Sequence, residues 1–101
     1  MDDRLLSLLG LARRAGRLAL GSDAAQKAAL SGRCSLILFS SDLSPRTARS
    51  VRAAAGRRNV KTAALRATMD EIGAAVGKRT GVLAVNDTGF AKKLLALNAE
   101  D

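Results

Sequence analysis

The chain has 101 residues, of which 48% are apolar, so we expect one domain with a buried core rather than a disordered chain. Seventeen Lys and Arg against nine Asp and Glu give a net charge of +8, which points to a polyanionic partner, nucleic acid first and an anionic membrane surface second. The sequence has no histidine, so the usual general base and the commonest metal ligand are both missing.

The first forty residues predict helix, strand, helix and strand in turn. The leucines of LLSLLGLARR recur at helical spacing, and this helix should end before Gly16. Residues 18–20 form either a very short strand or an extended connection. A second helix is expected over residues 23–31. The continuous apolar run CSLILF, residues 34–39, is typical of a central buried strand.

The rest of the chain continues the alternation. In order, it predicts a helix capped by Ser44, a weaker strand over residues 60–65, a helix begun by the capping-box pair Thr68 and Glu71, a buried strand over residues 81–85, and a final helix capped by Asp87. Helices that alternate with strands favour a single α/β domain with helices on both faces of a small sheet. The order of the strands does not follow from the pattern.

Targeting and membrane segments are not expected. No stretch approaches the roughly twenty apolar residues of a membrane span. The opening MDDRLLSLLGLARR carries acidic residues where a signal peptide carries basic ones. Cys34 is the only cysteine, which suits a buried structural thiol in a reducing compartment. We therefore expect a cytoplasmic protein.

Catalytic and base-stacking sites lack the residues that they need. No serine lies in a G-x-S-x-G elbow, no G-x-G-x-x-G occurs, and Gly21 is followed by Ser22 without the phosphate-holding lysine of a P-loop. Phe39 and Phe90 are the only aromatic residues, and both lie in apolar patterns, so the exposed aromatics of RRM, cold-shock and OB domains are not available. We predict no catalytic residue, no cofactor and no metal site. Nucleic-acid recognition would have to use helix ends, backbone amides and basic side chains.

The segment Gly21-Ser22-Asp23 allows two interpretations. Asp23 and Gln26 have the spacing of a capping box, which would make the segment only a helix start. Alternatively, the free amides and the positive dipole end of the helix bind an anion, and Lys27, one turn further on, reaches the same ligand. Spacing alone leaves both open.

A second basic feature is the stretch from Leu43 to Met69, which contains no acidic residue. Arg46, Arg49 and Arg52 lie away from the apolar stripe of the helix that this stretch predicts. Their face is a second RNA surface, a ribosomal docking face or a solvated surface, and the pattern does not choose among these.

The chain as a whole resembles the kink-turn-RNA-binding ribosomal protein family, the relatives of large-subunit ribosomal protein L-seven-Ae, and most of all its small bacterial YlxQ-type members. LARRAG followed by a G-[ST]-x-x-x-x-K segment carries the likeness, together with SGRCSLILFSSDLSP, GVLAV and GFAKKLL. The resemblance implies a three-layer α/β/α sandwich around a small, about four-stranded mixed sheet. It also implies binding to a sharply bent RNA through the start of the second helix and a loop near the end of the fourth.

The family motif at the second helix is Gly-Thr-Asn-Glu-x-x-Lys. By this resemblance Gly21 matches the glycine, Ser22 the threonine, and Lys27 the lysine that is expected to reach a guanine edge. Asp23 and Ala24 replace the family's asparagine and glutamate. An ionised Asp23 can only accept hydrogen bonds, and Ala24 makes no polar contact with a base.

The resulting prediction is a non-catalytic, monomeric protein that binds structured RNA of the kink-turn or ribosomal type. The predicted RNA-binding residues are Gly21, Ser22, Asp23 and Lys27, flanked by Arg13, Arg14, Arg17, Arg33, Lys78, Arg79 and Thr80. Ribosomal proteins are further possible partners. The first alternative is a protein-interaction module on a degenerate RNA-binding scaffold, docking an acidic or ribosomal partner, and an enzyme on the same scaffold is the second.

Overall fold

The computed structural model describes residues 3–100, which form five helices and four strands. In chain order they are α1 (Asp3–Arg14), β1 (Leu18–Leu20), α2 (Ser22–Leu30), β2 (Leu36–Phe39), α3 (Pro45–Gly56), β3 (Lys61–Ala64), α4 (Met69–Val76), β4 (Val82–Val85) and α5 (Thr88–Ala99). The predicted alternation is confirmed, and residues 18–20 are a strand rather than an extended connection. Among the described helices, none is long and apolar enough to cross a bilayer.

The four strands form one mixed sheet in the order β1-β4-β2-β3. β2 pairs with β3 in parallel, whereas β4 runs antiparallel to both of its neighbours. All four residues of β2 and of β4 are buried, as their continuous apolar runs predict for central strands. β3 lies at an edge and is only partly covered, in agreement with its weaker pattern.

Side chains of the two central strands alternate between two apolar layers, which confirms the three-layer sandwich. One layer packs under α1, α4 and α5 and contains Leu36, Leu38, Leu83 and Val85. The other packs under α2 and α3 and contains Ile37, Phe39, Val82 and Ala84. Successive strand residues point to opposite faces, so each strand supplies both layers.

The helix starts follow local capping chemistry. The Ser44 hydroxyl accepts a hydrogen bond from the Thr47 amide at 3.2 Å. Thr68 and Glu71 form the predicted reciprocal capping box, with bonds of 2.9 and 3.2 Å between each backbone amide and the other side chain. Asp87 accepts from the Phe90 amide at 2.7 Å. Each cap satisfies one of the amides that a helix start leaves without an intrahelical partner.

The strand directions give the sheet two distinct ends. β1, β2 and β3 all end at one side, which we call the upper end, and α2, α3 and α4 start there. β4 begins at the upper end and finishes at the opposite side, the lower end, where the other three strands begin. This arrangement decides which of the predicted binding residues can act together.

Candidate nucleic-acid interface

The second helix begins at Ser22, one residue earlier than expected, and its N-cap is Gly21. Gly21 has φ 99° and ψ 160°, a backbone conformation that is essentially restricted to glycine. The predicted capping box between Asp23 and Gln26 does not form, because Asp23 already lies inside the helix. Instead, the Gln26 amide nitrogen donates to the Ser22 hydroxyl at 3.1 Å.

A glycine cap leaves the start of α2 without a side chain to accept its amides. The first bond of the helix runs from the Ala25 amide to the Gly21 carbonyl at 2.9 Å. Within residues 3–100, the amides of Ser22, Asp23 and Ala24 have no hydrogen-bond acceptor. We call residues 21–24 the mouth of α2. Its three donors and a dipole equivalent to about half a positive charge make it suited to an anion or another acceptor.

Lys27 lies one turn beyond the mouth and its side chain is exposed. No carboxylate among the described residues forms an ion pair with it. Its ammonium group is therefore available to a ligand seated against the mouth. Asp23, also exposed, adds a carboxylate in the first turn of the same helix.

The loop between α4 and β4 meets the mouth at one carbonyl group. The Val82 carbonyl accepts from the Gly21 amide at 2.9 Å and from the Thr80 hydroxyl at 3.0 Å. The loop that carries Lys78 and Arg79 therefore reaches the upper end beside the start of α2. The sequence gives no sign of this junction, because the group that makes it is a backbone carbonyl.

Two residues of this loop have protein partners. The Arg79 guanidinium donates to the Asp70 carboxylate at 2.6 Å, and this hydrogen bond together with the negative charge of Asp70 raises the pKa of Arg79. Thr80 is only 7% exposed, and its hydroxyl holds the first residue of β4. Thr80, one of the predicted RNA-binding residues, therefore lies inside the loop, where its hydroxyl is occupied by the Val82 carbonyl. Lys78 is exposed.

The structure also corrects the placement of four predicted flanking arginines. Arg17 lies at the lower end, where its carbonyl accepts from the Asn86 amide at 2.8 Å. Arg33 follows the end of α2, a helix of nine residues and thus about 14 Å long. Arg13 and Arg14 close α1 just before β1 starts. These four residues lie at the end of the sheet opposite the mouth, because each of them precedes the start of β1 or β2 and the mouth follows the end of β1.

Three further features of the described residues bear on other kinds of site. Within them, no group of three or more His, Cys, Asp or Glu side chains could hold a metal ion. Cys34 is buried, and its thiol donates to the Leu36 carbonyl at 3.3 Å. Burial raises the pKa of the Cys34 thiol. The groove of about 590 Å³ between α1 and α5 is mostly apolar, and its charged lining groups, Arg4 and Lys93, are both cationic.

Comparison with known proteins places the chain in a family. A model of the ribosomal protein L7Ae/L30e/S12e/Gadd45 family matches residues 3–95. This chain belongs to that family. RNA-binding protein YlxQ of Bacillus subtilis (strain 168) is 38% identical over 93 residues, which cover 89% of this chain and 90% of that protein.

Solved structures agree with the L7Ae-family fold. A protein of unknown function from Bacillus halodurans C has a TM-score of 0.90 and 33% identity, over 97% of this chain and 99% of its own. The Giardia lamblia 15.5kD RNA binding protein has a TM-score of 0.74 over 99% of this chain and 89% of its own. At 14% identity, that second likeness concerns the fold alone.

Proposed function

We propose that this protein is a non-catalytic RNA-binding protein that holds structured RNA, of the kink-turn or ribosomal type, with the mouth of α2 and the adjoining α4–β4 loop. One observation carries the proposal. The start of α2 is capped by a glycine, so three amides remain free at an open helix end, and an exposed lysine lies one turn away. Membership of the family and the RNA-binding relative YlxQ support RNA as the ligand.

Each group at the mouth has a distinct task. The free amides donate to phosphate or base oxygens, and Gly21 allows the RNA backbone to approach closely. Lys27 donates to a guanine edge, whose O6 and N7 atoms both accept. The Asp23 carboxylate accepts a hydrogen bond from a base amino group but repels phosphates. The side of the mouth that carries Asp23 must therefore face base edges and not the RNA backbone. Lys78 and Arg79 contact phosphates from the adjoining loop.

The test compares Lys27→Ala with Lys92→Ala. Lys92 is also exposed but lies on α5, on the other face of the sheet, so the pair removes equal charge from different places. With a sharply bent RNA of the kink-turn type, Lys27→Ala should raise Kd roughly 5- to 150-fold, the range for a lost base contact of about 1–3 kcal/mol. With an unstructured strand of equal length, both variants should change Kd little. Equal losses for both RNAs would show that Lys27 is only a general charge.

The alternative function is a protein-interaction module, favoured by the two departures at Asp23 and Ala24. It predicts that an acidic or ribosomal partner co-purifies after nuclease treatment and that RNA produces no shift in gel mobility. The same purified protein serves both assays, so the two functions are separated in one experiment.

A further inference from the structure

The positive charge of the chain is concentrated away from the mouth of α2. Three loops, each preceding one of the parallel strands, converge at the lower end of the sheet. Together with the helix ends and the strand start that they join, these loops bring seven basic residues to that end, although the guanidinium of Arg14 folds back along α1 to Gly10. The seven are Arg13, Arg14, Arg17, Arg33, Arg57, Arg58 and Lys61. All seven are exposed. We call this set the lower basic surface.

Little on the protein offsets that charge. Asp87 is the only carboxylate of the described residues at the lower end, and it is already engaged in capping α5. The C-termini of α1, α2 and α3 point the same way, and each contributes about half a negative charge. Asp87 and the three helix ends therefore offset less than half of the seven positive charges. Compensation of helix dipoles does not account for the lower basic surface.

The upper end has a different balance. Its described loops and helix starts contribute Arg46, Arg66, Lys78 and Arg79 against Asp23, Asp42, Asp70 and Glu71. With Lys27, one turn into α2, this end carries five basic side chains against four carboxylates, so its formal charges nearly cancel. The net charge of +8 is thus not spread evenly over the protein, and its main concentration lies opposite the mouth.

The chemistry of the lower basic surface fits the phosphates of RNA. Six of its members are arginines, whose planar guanidinium groups bind phosphate oxygens in pairs. No described carboxylate forms an ion pair with any of them. The four strands at whose lower end these residues lie span about 14 Å, which is less than two screening lengths at physiological salt. A backbone of closely spaced phosphates can meet several of them at once.

An acidic protein partner fits this surface less well. Interfaces between proteins depend on a cluster of large apolar or aromatic anchors. Among the described residues only Leu11 and Leu30 are large exposed hydrophobics, and only Leu30 belongs to the lower end. A solvated surface, the third possibility, normally mixes both signs of charge.

We propose that the lower basic surface is a second RNA-binding surface, which contacts phosphates of an RNA segment other than the one held at the mouth. That the polyanion is RNA rests on the proposed function. The two surfaces lie at opposite ends of the sheet in a protein of 32 × 27 × 24 Å. RNA must therefore fold around the protein, or present two separate segments, to occupy both. The contacts are electrostatic and carry no base specificity.

The experiment measures how RNA affinity depends on salt for three double variants. Arg57→Gln/Arg58→Gln and Arg17→Gln/Arg33→Gln remove pairs from different loops of the lower basic surface. Lys92→Gln/Lys93→Gln is the matched control, because it removes the same charge from two exposed residues of α5 that belong to neither the mouth nor the lower basic surface. The probe is a structured ribosomal RNA fragment long enough to surround the protein. Circular dichroism verifies that each variant is folded.

Each phosphate contact contributes roughly 0.7–0.9 to the slope of log affinity against log salt. Each of the two lower-end double variants should therefore reduce the steepness of the slope by about 1.4–1.8, because each removes two phosphate contacts. The control double variant should reduce it by less than half as much. Equal reductions in all three variants would show diffuse attraction and overturn the second surface, as would no reduction in the lower-end pairs. If the wild-type protein binds no RNA, the proposed function itself fails, which is a separate result.

Discussion

Replacement of Gly21 by alanine isolates the backbone geometry that opens the mouth of α2. At φ 99° and ψ 160° an alanine is strained whatever space surrounds it, at a cost of about 1–3 kcal/mol. A Cβ atom at this position would meet no heavy atom within 4 Å, so no steric clash adds to that cost. For a domain of this size, each kcal/mol lowers Tm by about 4–8 °C.

A comparison of two glycines makes the test specific to backbone conformation. Gly77 has φ 89° and ψ 0°, a left-handed conformation that asparagine tolerates. We therefore expect Gly77→Asn to be more stable than Gly77→Ala in urea denaturation. Gly21→Asn, in contrast, should be as unstable as Gly21→Ala, because asparagine does not relieve the strain at ψ 160°. Wild-type stability and wild-type RNA affinity in Gly21→Ala would refute the account of the mouth.

Three further predictions concern the interior and the helix ends. Leu38→Ala removes a fully buried side chain from the central strand and should cost about 2–5 kcal/mol in urea denaturation. Thr68→Ala breaks the capping box of α4 and should cost about 1 kcal/mol by the same method, whereas Thr88→Ala, at an exposed position, serves as its control. Cys34 is buried and its raised pKa keeps the thiol protonated, so iodoacetamide should react far more slowly with the native protein than with the urea-unfolded chain.

Local chemistry made much of the fold predictable. The runs CSLILF and GVLAV contain strands because a central strand is buried on both faces and needs apolar residues at every position. Ser44, Thr68 and Asp87 cap helices because each side-chain oxygen can accept a hydrogen bond from a backbone amide two or three residues ahead. Such signals lie within a few residues of one another in the chain.

The parts that could not be predicted depend on contacts between distant segments. Arg17 is close to Gly21 in the chain, but β1 lies between them and carries them to opposite ends of the sheet. A polar threonine in a loop is expected to be exposed. Only the fold shows that the Thr80 hydroxyl is buried and donates a hydrogen bond to the Val82 carbonyl. The true start of α2 depends on a positive φ at Gly21. A glycine permits a positive φ, but its presence in the sequence does not predict one.

The most direct test of RNA binding at the mouth is an NMR titration of the ¹⁵N-labelled protein with a sharply bent RNA. The account predicts that the amide signals of Ser22, Asp23 and Ala24 shift strongly and reach a limit together, because their free N–H groups acquire acceptors. The amide of Leu94, fully buried in α5, should stay unchanged. RNA binding that leaves the signals of Ser22, Asp23 and Ala24 in place would contradict the account.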